Sequence, residues 1–368
     1  MKRIIFTVTN DLTYDQRMQR ICGTLNNHGF DVLLVGRRKK NSLPLHQFNF
    51  QQKRLSCFFS KGFVFYAEYN LRLFFFLLFC KANLFCAIDL DTILPCWLVS
   101  FLRNKIRIYD AHELFTEQKE IVTRPVIKKV WLAIERFAVP KFRNGYTVNH
   151  FIAAELKRRY SVEYNIIRNL PLWMPVINET YTAPQSDMPV IIYQGAVNEG
   201  RSFETLVPAM QQVNARLLIY GEGNFFEQVK SLIVQYNLQS KIVLKGYAEP
   251  ALLKQITPTA SIAVMLFEKT GLNQYYSLSN RFFDYIMAGV PQVCVNYPEY
   301  KSINDKYHIA LMIDDTTEAT IAAALNKLLN DRVIHNELRS NCLKARAYLN
   351  WQQEEQKLVT FYKTVQNG

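Results

Sequence analysis

The residues best suited to chemistry stand directly after short apolar runs of the chain. Asp89 and Asp91 follow the run LFCAI, and Asp110, His112 and Glu113 close or follow the run KIRIY. The carboxyl ends of parallel strands share one edge of a sheet, where ligands bind in open α/β folds. Carboxylates beside an imidazole can exchange protons there. We expect a functional site; a helix cap is the alternative for Asp91 and a structural role the alternative for His112.

Glycine-containing turns follow two later apolar runs. VIIYQGAVNEGR carries Gly195, Gly200 and Arg201, and RLLIYGEG carries Gly221 and Gly223. Glycine turns that lead into a helix N-terminus can bind phosphate, and an arginine adds fixed positive charge. A tight turn without a ligand is the other interpretation of GEG.

The segment NQYYSLSNRFFDYIMAGVP, residues 273–291, combines a polar lead-in with an apolar stretch that predicts a helix over 280–288. Ser277 and Ser279 offer caps or hydrogen bonds to the open N–H groups at the helix start. Asp284 lies one turn in, off the buried stripe. A diphosphate at the helix start and a ribose beside Asp284 would use all of these groups, whereas the alternative is a capped helix with a favourable acid.

The elements that must position these groups alternate between strand and helix along the whole chain. This alternation predicts parallel, doubly wound α/β sheets. PLWMPVINETYTAPQSDMP contains four prolines and has the composition of a linker. We therefore expect a Rossmann-like domain over 1–172, a linker over 173–188 and a second Rossmann-like domain over 189–350, with the two domains facing each other across a cleft.

The positive charge is concentrated in the first half of the chain. The chain carries a net charge of +13; residues 1–172 contain 27 Lys and Arg against 13 Asp and Glu, and residues 173–368 contain 17 against 18. A basic half suits an anionic membrane surface or a phosphorylated acceptor, with a solvated surface as the alternative. Nucleic acid is not expected as a partner, because the basic residues show no RNP-like or helix-turn-helix arrangement.

Seven cysteines without a CxxC pair argue against a disulfide framework or a zinc site and favour a reduced cytosolic chain. The longest apolar run, LFFFLLFC, is short of a membrane span, so we expect no transmembrane segment. PVIKKVWLAIERFAVPKFR, residues 125–143, mixes Trp131 and Phe137 with Lys128 and Lys129. That mixture is typical of a helix lying on an anionic membrane, and a core helix with a solvated basic face is the alternative.

The order of DLDTILP, YDAHELFTE, IIRNLP, YQGAVNEGR and SLSNRFFDYIMAGVPQV resembles the retaining glycosyltransferases of family 4, on the GT-B fold, especially bacterial members that build surface polysaccharides such as lipopolysaccharide and capsule. The resemblance covers nearly the whole chain. It implies transfer of a sugar from a UDP- or GDP-sugar to the hydroxyl of a lipid-linked or growing surface glycan. It also implies retention at the anomeric carbon, no metal and no other cofactor, a cytoplasmic location at the inner face of the membrane, and a helix over 351–368 that crosses back to the first domain.

The resemblance also implies roles for individual residues. His112 and Arg201 are expected to be catalytic. Tyr276 stands where relatives carry the first Glu of an E-x7-E motif, and Asp284 stands at the second Glu, which holds the ribose. The expected donor-binding residues are Gly195, Gly200, Arg201, Gly221, Gly223, Tyr247, Tyr276, Ser277, Leu278, Ser279, Asn280, Arg281 and Asp284. The expected acceptor-side residues are Asp11, Tyr14, Asp15, Arg17, Asp89, Asp91, Asp110 and Glu113.

Two other functions fit the same residues. A nucleotide-sugar epimerase of this fold would need no basic acceptor surface. A non-catalytic protein that binds a nucleotide sugar or scaffolds a complex would account for Tyr276 in place of the glutamate.

Overall fold

The computed structural model describes residues 2–13, 15–175 and 188–367. Most of the expected linker and Tyr14 lie outside these described residues. The chain divides into two compact units: Met1–Asn169 with Glu354–Gly368, and Leu170–Gln353.

The described part of the first unit contains a seven-stranded parallel sheet in the order β3-β2-β1-β4-β5-β6-β7. Its strands are β1 (Arg3–Thr7), β2 (Asp31–Arg38), β3 (Gln51–Ser56), β4 (Leu84–Ile88), β5 (Ile106–Ala111), β6 (Asn144–Thr147) and β7 (Asn165–Ile166). The order reverses direction between β1 and β4, which pair with Ile5 opposite Phe85. β4 and β5 pair with Ile88 opposite Asp110, so their carboxyl ends lie side by side.

The described part of the second unit contains a six-stranded parallel sheet in the order β10-β9-β8-β11-β12-β13. Its strands are β8 (Val190–Gln194), β9 (Arg216–Tyr220), β10 (Ile242–Gly246), β11 (Ile262–Met265), β12 (Gln292–Val295) and β13 (Ala310–Ile313). The order reverses between β8 and β11. Buried aliphatic residues fill the strands because both faces of a parallel sheet are covered.

Helices connect the strands in both units. They are α1 (Gln16–Asn27), α2 (Gly62–Phe79), α3 (Ile93–Leu102), α4 (Lys119–Val122), α5 (Pro125–Ala138), α6 (His150–Tyr160), α7 (Phe203–Ala209), α8 (Phe226–Gln235), α9 (Pro250–Ile256), α10 (Leu272–Tyr275), α11 (Asn280–Ala288), α12 (Pro298–Tyr307), α13 (Glu318–Asn330), α14 (Arg332–Ala345) and α15 (Trp351–Asn367). The predicted fold class of two parallel, doubly wound α/β sheets is confirmed.

The C-terminal helix α15 belongs for most of its length to the first unit. The ring of Tyr362 lies 5.9 Å from that of Phe6 and 6.2 Å from that of Tyr146, and all three side chains are buried. Aromatic packing of this kind stabilises the contact beyond the area that it buries.

One described helix, α2, is long and apolar enough to cross a membrane by length and composition, and 22% of it is buried. Its buried side chains are Phe65, Tyr69, Leu73 and Leu77, which recur at helical spacing and pack on the unit. The expectation of no transmembrane segment therefore stays a prediction.

Candidate active site

The carboxyl edge of the first sheet brings several of the predicted acceptor-side residues together. Asp89 follows β4, Asp110 lies near the end of β5, and His112 follows β5. The backbone N–H of His112 donates to Asp89 Oδ1 at 2.8 Å, and His112 Nδ1 lies 3.4 Å from Asp89 Oδ2. Asp89, at the end of β4, therefore contacts both the backbone N–H and the ring of His112, at the end of the neighbouring strand β5.

Arg17 joins this cluster from helix α1. Its Nη2 donates to Asp110 Oδ1 at 2.9 Å, and both side chains are buried. Its Nε donates to His112 Nε2 at 2.8 Å. A buried arginine of this kind is stable because its charge is matched by a carboxylate and its N–H groups have acceptors.

The proton on His112 is governed by two opposing features. The contact with Arg17 requires Nε2 to accept, which fits a neutral ring with its proton on Nδ1. Burial also lowers the pKa of His112, but the carboxylates of Asp110 and Asp89 outweigh it and raise that pKa to about 9. His112 Nε2 lies 3.2 Å from Asp110 Oδ2 without the alignment of a hydrogen bond. The carboxylate charges dominate, so the ring takes a second proton below that pH, and Arg17 Nε must then move away because both nitrogens are donors.

The two aspartates after β4 are harder to ionise than ordinary carboxyl groups. Burial raises the pKa of Asp89 to about 6 and that of Asp91 to about 6. Asp89 also has a φ of 52°, which is uncommon for a residue other than glycine. Backbone in sparsely populated conformations concentrates at functional sites, where surrounding contacts hold it.

Asp91 does not cap helix α3. The N-cap residue of α3 is Thr92, and it makes no side-chain cap bond. The Asp91 carboxylate instead accepts a hydrogen bond from the Thr9 hydroxyl, beyond the end of β1. The capping alternative for Asp91 is therefore wrong, and Asp91 lies at the strand ends with Asp89.

The remaining predicted acceptor-side residues are held in local structure. Asp11 pairs with Arg54 at 2.7 Å and accepts from the Thr13 hydroxyl at 2.9 Å. Asp15 caps α1 by accepting from the Met18 N–H at 3.1 Å. These bonds define a loop, whereas the Glu113 carboxylate accepts from Gln118.

The second sheet also presents predicted residues at its carboxyl edge, in two closely packed glycine turns. A Cβ atom at Gly221 would lie 1.8 Å from the carbonyl oxygen of Gly195, so only glycine fits there. Gly195 has a φ of 123°, and a Cβ atom there would point at Arg281 Nη1, 3.5 Å away. Gly223 continues the second turn, with its carbonyl accepting from the Phe226 N–H at 3.3 Å. Gly200 ties the first turn to the segment after β11 by accepting from Glu268 N–H at 3.1 Å.

Two guanidinium groups lie around the ring of Phe267, just beyond β11. Arg201 Cζ is 4.1 Å from the ring centroid, and Arg281 Cζ is 5.0 Å from it. Arg281 is buried and donates to the Tyr193 hydroxyl at 2.6 Å and to the Leu266 carbonyl at 3.3 Å. Among the described residues no carboxylate pairs with Arg281. A buried charge without a counter-ion is unfavourable in isolation, so an anion is the ligand that this edge suits.

The start of helix α11 is only partly open. Its N-cap residue, Ser279, makes no side-chain cap bond, contrary to the expected capping role. The Ser279 N–H donates to the Tyr300 hydroxyl at 2.9 Å, and the Ser277 N–H donates to the Gln274 carbonyl at 3.2 Å. Within the described chain the Leu278 N–H has no such partner. Internal bonds thus occupy two of the four N–H groups expected to hold a ligand.

Asp284 faces the end of β8. Its Oδ2 accepts from Gln194 Nε2 at 3.2 Å, and Gln194 Oε1 accepts from the Thr257 hydroxyl at 2.6 Å. This chain fixes the orientation of the carboxylate. Tyr247, just beyond β10, is exposed, and the Tyr276 ring packs against that of Tyr275 at a tilt of 39°, with ring centroids 5.4 Å apart.

Sequence reasoning missed the residues that support the predicted ones. Thr9, Gln194 and Phe267 each stand at or just beyond a strand end, which is a signal that could have found them. Tyr300 and Thr257 carry no such signal, because they reach the site from helix α12 and from the turn after α9. Among the described residues, no group of three or more His, Cys, Asp and Glu side chains is arranged to hold a metal ion.

Comparisons with known proteins match this architecture. The family model "Glycosyl transferases group 1" matches residues 182–347. The chain is similar in structure to sucrose-phosphate synthase from Thermosynechococcus elongatus, with a TM-score of 0.84, 14% identity and all of both chains covered. No curated protein sequence matches the chain.

Two further solved structures share the fold. Anabaena HepE in complex with UDP-glucose has a TM-score of 0.76 at 9% identity, covering 99% of this chain and 100% of that one. WaaG, a glycosyltransferase involved in lipopolysaccharide biosynthesis, has a TM-score of 0.72 at 13% identity with the same coverage. The chain therefore has the GT-B fold of glycosyltransferases, and most of its second unit matches the group 1 glycosyl transferases.

Proposed function

We propose that the protein is a retaining, family 4-like glycosyltransferase. It moves a sugar from a UDP- or GDP-sugar to a hydroxyl of a lipid-linked or growing surface glycan. The observation that carries this proposal is the pair of guanidinium groups around Phe267, at the strand ends of the unit that matches the glycosyl transferase model. The structures of HepE with UDP-glucose and of WaaG lend support by likeness of fold.

In this proposal the second unit binds the donor. Arg281 and Arg201 neutralise the diphosphate, and the Leu278 N–H and the positive end of α11 bind its oxygens. Gly195 leaves room for this approach because it has no side chain between the turn and Arg281. Asp284, oriented by Gln194, accepts hydrogen bonds from the ribose, and Tyr247 contacts the base.

The difficult step is departure of the nucleoside diphosphate, which gathers negative charge while the sugar becomes oxocarbenium-like. Fixed cations and N–H dipoles stabilise such charge without reorganising during the reaction. These groups take the part that a metal ion plays elsewhere, so the proposed reaction needs no metal. The bond from the anomeric carbon to the diphosphate oxygen breaks, the acceptor oxygen bonds to that carbon on the same face, and the acceptor proton passes to the departing phosphate oxygen.

His112 is proposed to orient and stabilise the sugar being transferred. The carboxylates around His112 hold the ring in its protonated form, so it can donate to a sugar oxygen. Asp89 and Asp110 hold the ring in place and act through it. We further propose that the protein works in the cytoplasm, at the inner face of the membrane.

The test is an incubation of the chain with UDP- and GDP-sugars in EDTA, with and without a lipid-linked glycan acceptor. Release of one nucleoside diphosphate and an unchanged anomeric configuration in the product are expected for the wild type. Asp284→Ala should abolish most of the release, whereas Asp305→Ala, which replaces an exposed aspartate that pairs with Lys301, should not. An isomerised nucleotide sugar formed without acceptor would indicate an epimerase. Donor binding without release or isomerisation would indicate a non-catalytic protein.

A further inference from the structure

The amino edge of the first sheet carries a basic cavity that the proposed transfer reaction does not use. Its volume is about 620 Å³, and it lies where β5 and β6 begin, at the edge opposite His112. It is lined by Trp97, Phe101, Lys105, Ile106, Arg107, Pro140, Lys141, Arg143 and Asn144. Four of these residues are cationic, and no carboxylate is among the lining residues in the described chain.

Within the described chain, the cations of this cavity have no acidic partners. Among the described residues, Lys105, Arg107 and Arg143 make no ion pair or side-chain hydrogen bond. Arg107 is partly buried, and burial lowers the pKa of its guanidinium. Lys141 Nζ donates to the Phe137 carbonyl at 2.5 Å and lies 3.7 Å from the centroid of the Phe137 ring. Uncompensated positive charge of this density suits an anion.

The rim of the cavity is apolar. Helices α2, α3 and α5 each run into the start of a strand, and β4, β5 and β6 are neighbours, so the three helices end at this same edge. Large side chains near these ends are exposed: Phe79 by 82%, Phe101 by 64%, Leu102 by 58% and Phe137 by 43%. A soluble anion would gain nothing from such a rim, whereas a lipid has both an anionic group and acyl chains.

We propose that this cavity binds the phosphate headgroup of an anionic phospholipid, and that Phe79, Phe101, Leu102 and Phe137 enter the membrane surface around it. The occupant is a membrane, chosen because the charge is complementary and the rim is apolar. The surface overlaps only in part with the one that the sequence pattern of residues 125–143 predicts: Phe137, Lys141 and Arg143 belong to it, whereas Trp131 packs inward against Phe115 and Tyr66. Docking through this edge leaves the strand ends that carry His112 and Asp89 away from the lipid, so the acceptor that reaches them would be the growing glycan and not its lipid anchor.

The test is flotation of the full chain with phosphatidylcholine vesicles, with and without phosphatidylglycerol, in the absence of any nucleotide sugar. Wild type should float only with the anionic vesicles. Each basic residue near such a surface contributes about fivefold to the partition coefficient. Lys105→Gln with Arg143→Gln should therefore lower it about 25-fold. The matched control is Lys39→Gln with Lys40→Gln, the same charge change on exposed residues just beyond the carboxyl end of β2, and it should change the coefficient less than twofold.

A second variant keeps the test independent of charge. Phe101→Ser with Leu102→Ser removes apolar area only, and should lower flotation while leaving its salt dependence unchanged. Unchanged melting curves establish that the exposed substitutions leave the fold intact. The proposal would be overturned by an equal loss of flotation in the Lys105/Arg143 variant and the Lys39/Lys40 control. Equal flotation of wild type with neutral vesicles, or its complete release by millimolar inorganic phosphate, would also overturn it. Because no donor is present, failure of sugar transfer would leave this result standing.

Discussion

The carboxyl edges of the two sheets carry different charged groups. At the first edge, Asp89 and Asp110 flank His112, with Arg17 as the paired cation. At the second edge, Arg201 and Arg281 lie around an aromatic ring. Both edges use the reversal of strand order to bring distant segments together, but they place different chemistry there.

The first edge contains a group whose charge changes with pH, whereas the second edge contains charges that do not change. Crowded carboxylates make the protonation of His112 depend on pH, whereas the two guanidinium groups keep their charge at any physiological pH. A ligand rich in hydroxyl groups suits the first edge, and a diphosphate suits the second. The following predictions are ordered from the largest expected effect to the smallest.

Removing Arg281, one of the two cations at the second edge, should have the largest effect on activity. Arg281→Met is expected to lower the rate of nucleoside diphosphate release by about 10²–10³-fold, because loss of one preorganised donor removes about 3–4 kcal/mol of transition-state stabilisation. The measurement is release from the preferred nucleotide sugar. Arg216→Met, an exposed arginine at the amino end of β9, is the matched control and should retain activity. Equal activity of the two variants would remove Arg281 from the mechanism.

Removing the titrating group at the first edge should change the pH dependence of stability. The pKa of His112 is raised to about 9 from an ordinary 6.5, so its contribution is complete below pH 6.5 and is lost as the pH rises through 9. Between these values the wild-type free energy of unfolding should fall by up to about 3 kcal/mol more than that of His112→Gln.

Urea denaturation at several pH values measures this difference. His46→Gln, which replaces an exposed histidine, should behave like wild type. Parallel pH profiles for wild type and His112→Gln would show that the carboxylates do not hold the ring in its charged form.

Removing the carboxylate at the second edge should weaken binding of the ribose without weakening binding of the phosphates. Asp284→Asn is expected to weaken UDP or GDP binding by about 2 kcal/mol, because hydrogen bonds to a charged acceptor are lost. Binding of inorganic pyrophosphate, which has no ribose, should not change. Titration calorimetry with both ligands checks this, and equal weakening of the two would place Asp284 at the phosphates instead.

The smallest effect is expected at Asp15, which the structure shows capping α1. Asp15→Ala should lower the free energy of unfolding by about 1 kcal/mol, the usual effect of losing an N-cap. The KM for the acceptor should stay the same. A large change in that KM with unchanged stability would show that Asp15 acts in acceptor binding, as the resemblance implies.

Much of the framework followed from the sequence alone. The helix predicted over 280–288 is observed as Asn280–Ala288, and LFCAI forms β4 as expected. The strands that sequence reasoning missed are edge strands: β3 has the polar, largely exposed sequence QQKRLS, β7 has two residues, and β13 closes the second sheet. β3 and β7 lack the continuous apolar run of a buried parallel strand, so periodicity cannot reveal them. β13 has the apolar sequence ALMI, a run that sequence reasoning could have found.

The residue types at the candidate site could be predicted from the sequence, but the contacts between these residues could not. Strand ends indicated His112 and Asp110, but the sequence could not show that Arg17 bonds to both of them, because that contact depends on the packing of α1. Likewise, the polar segment before α11 suggested open N–H groups, and only the tertiary contact with Tyr300 shows that one is already bonded.

The central claim is that the second edge binds a nucleoside diphosphate without metal. Thermal unfolding of wild type and Asp284→Ala should be followed in EDTA with UDP, GDP, ADP and CDP. One diphosphate, at 100 times its dissociation constant, should stabilise wild type by about 2.7 kcal/mol, and Asp284→Ala should lose most of that shift. If none of the four stabilises wild type, the account of the second edge is wrong and the likeness to glycosyltransferases is one of fold alone.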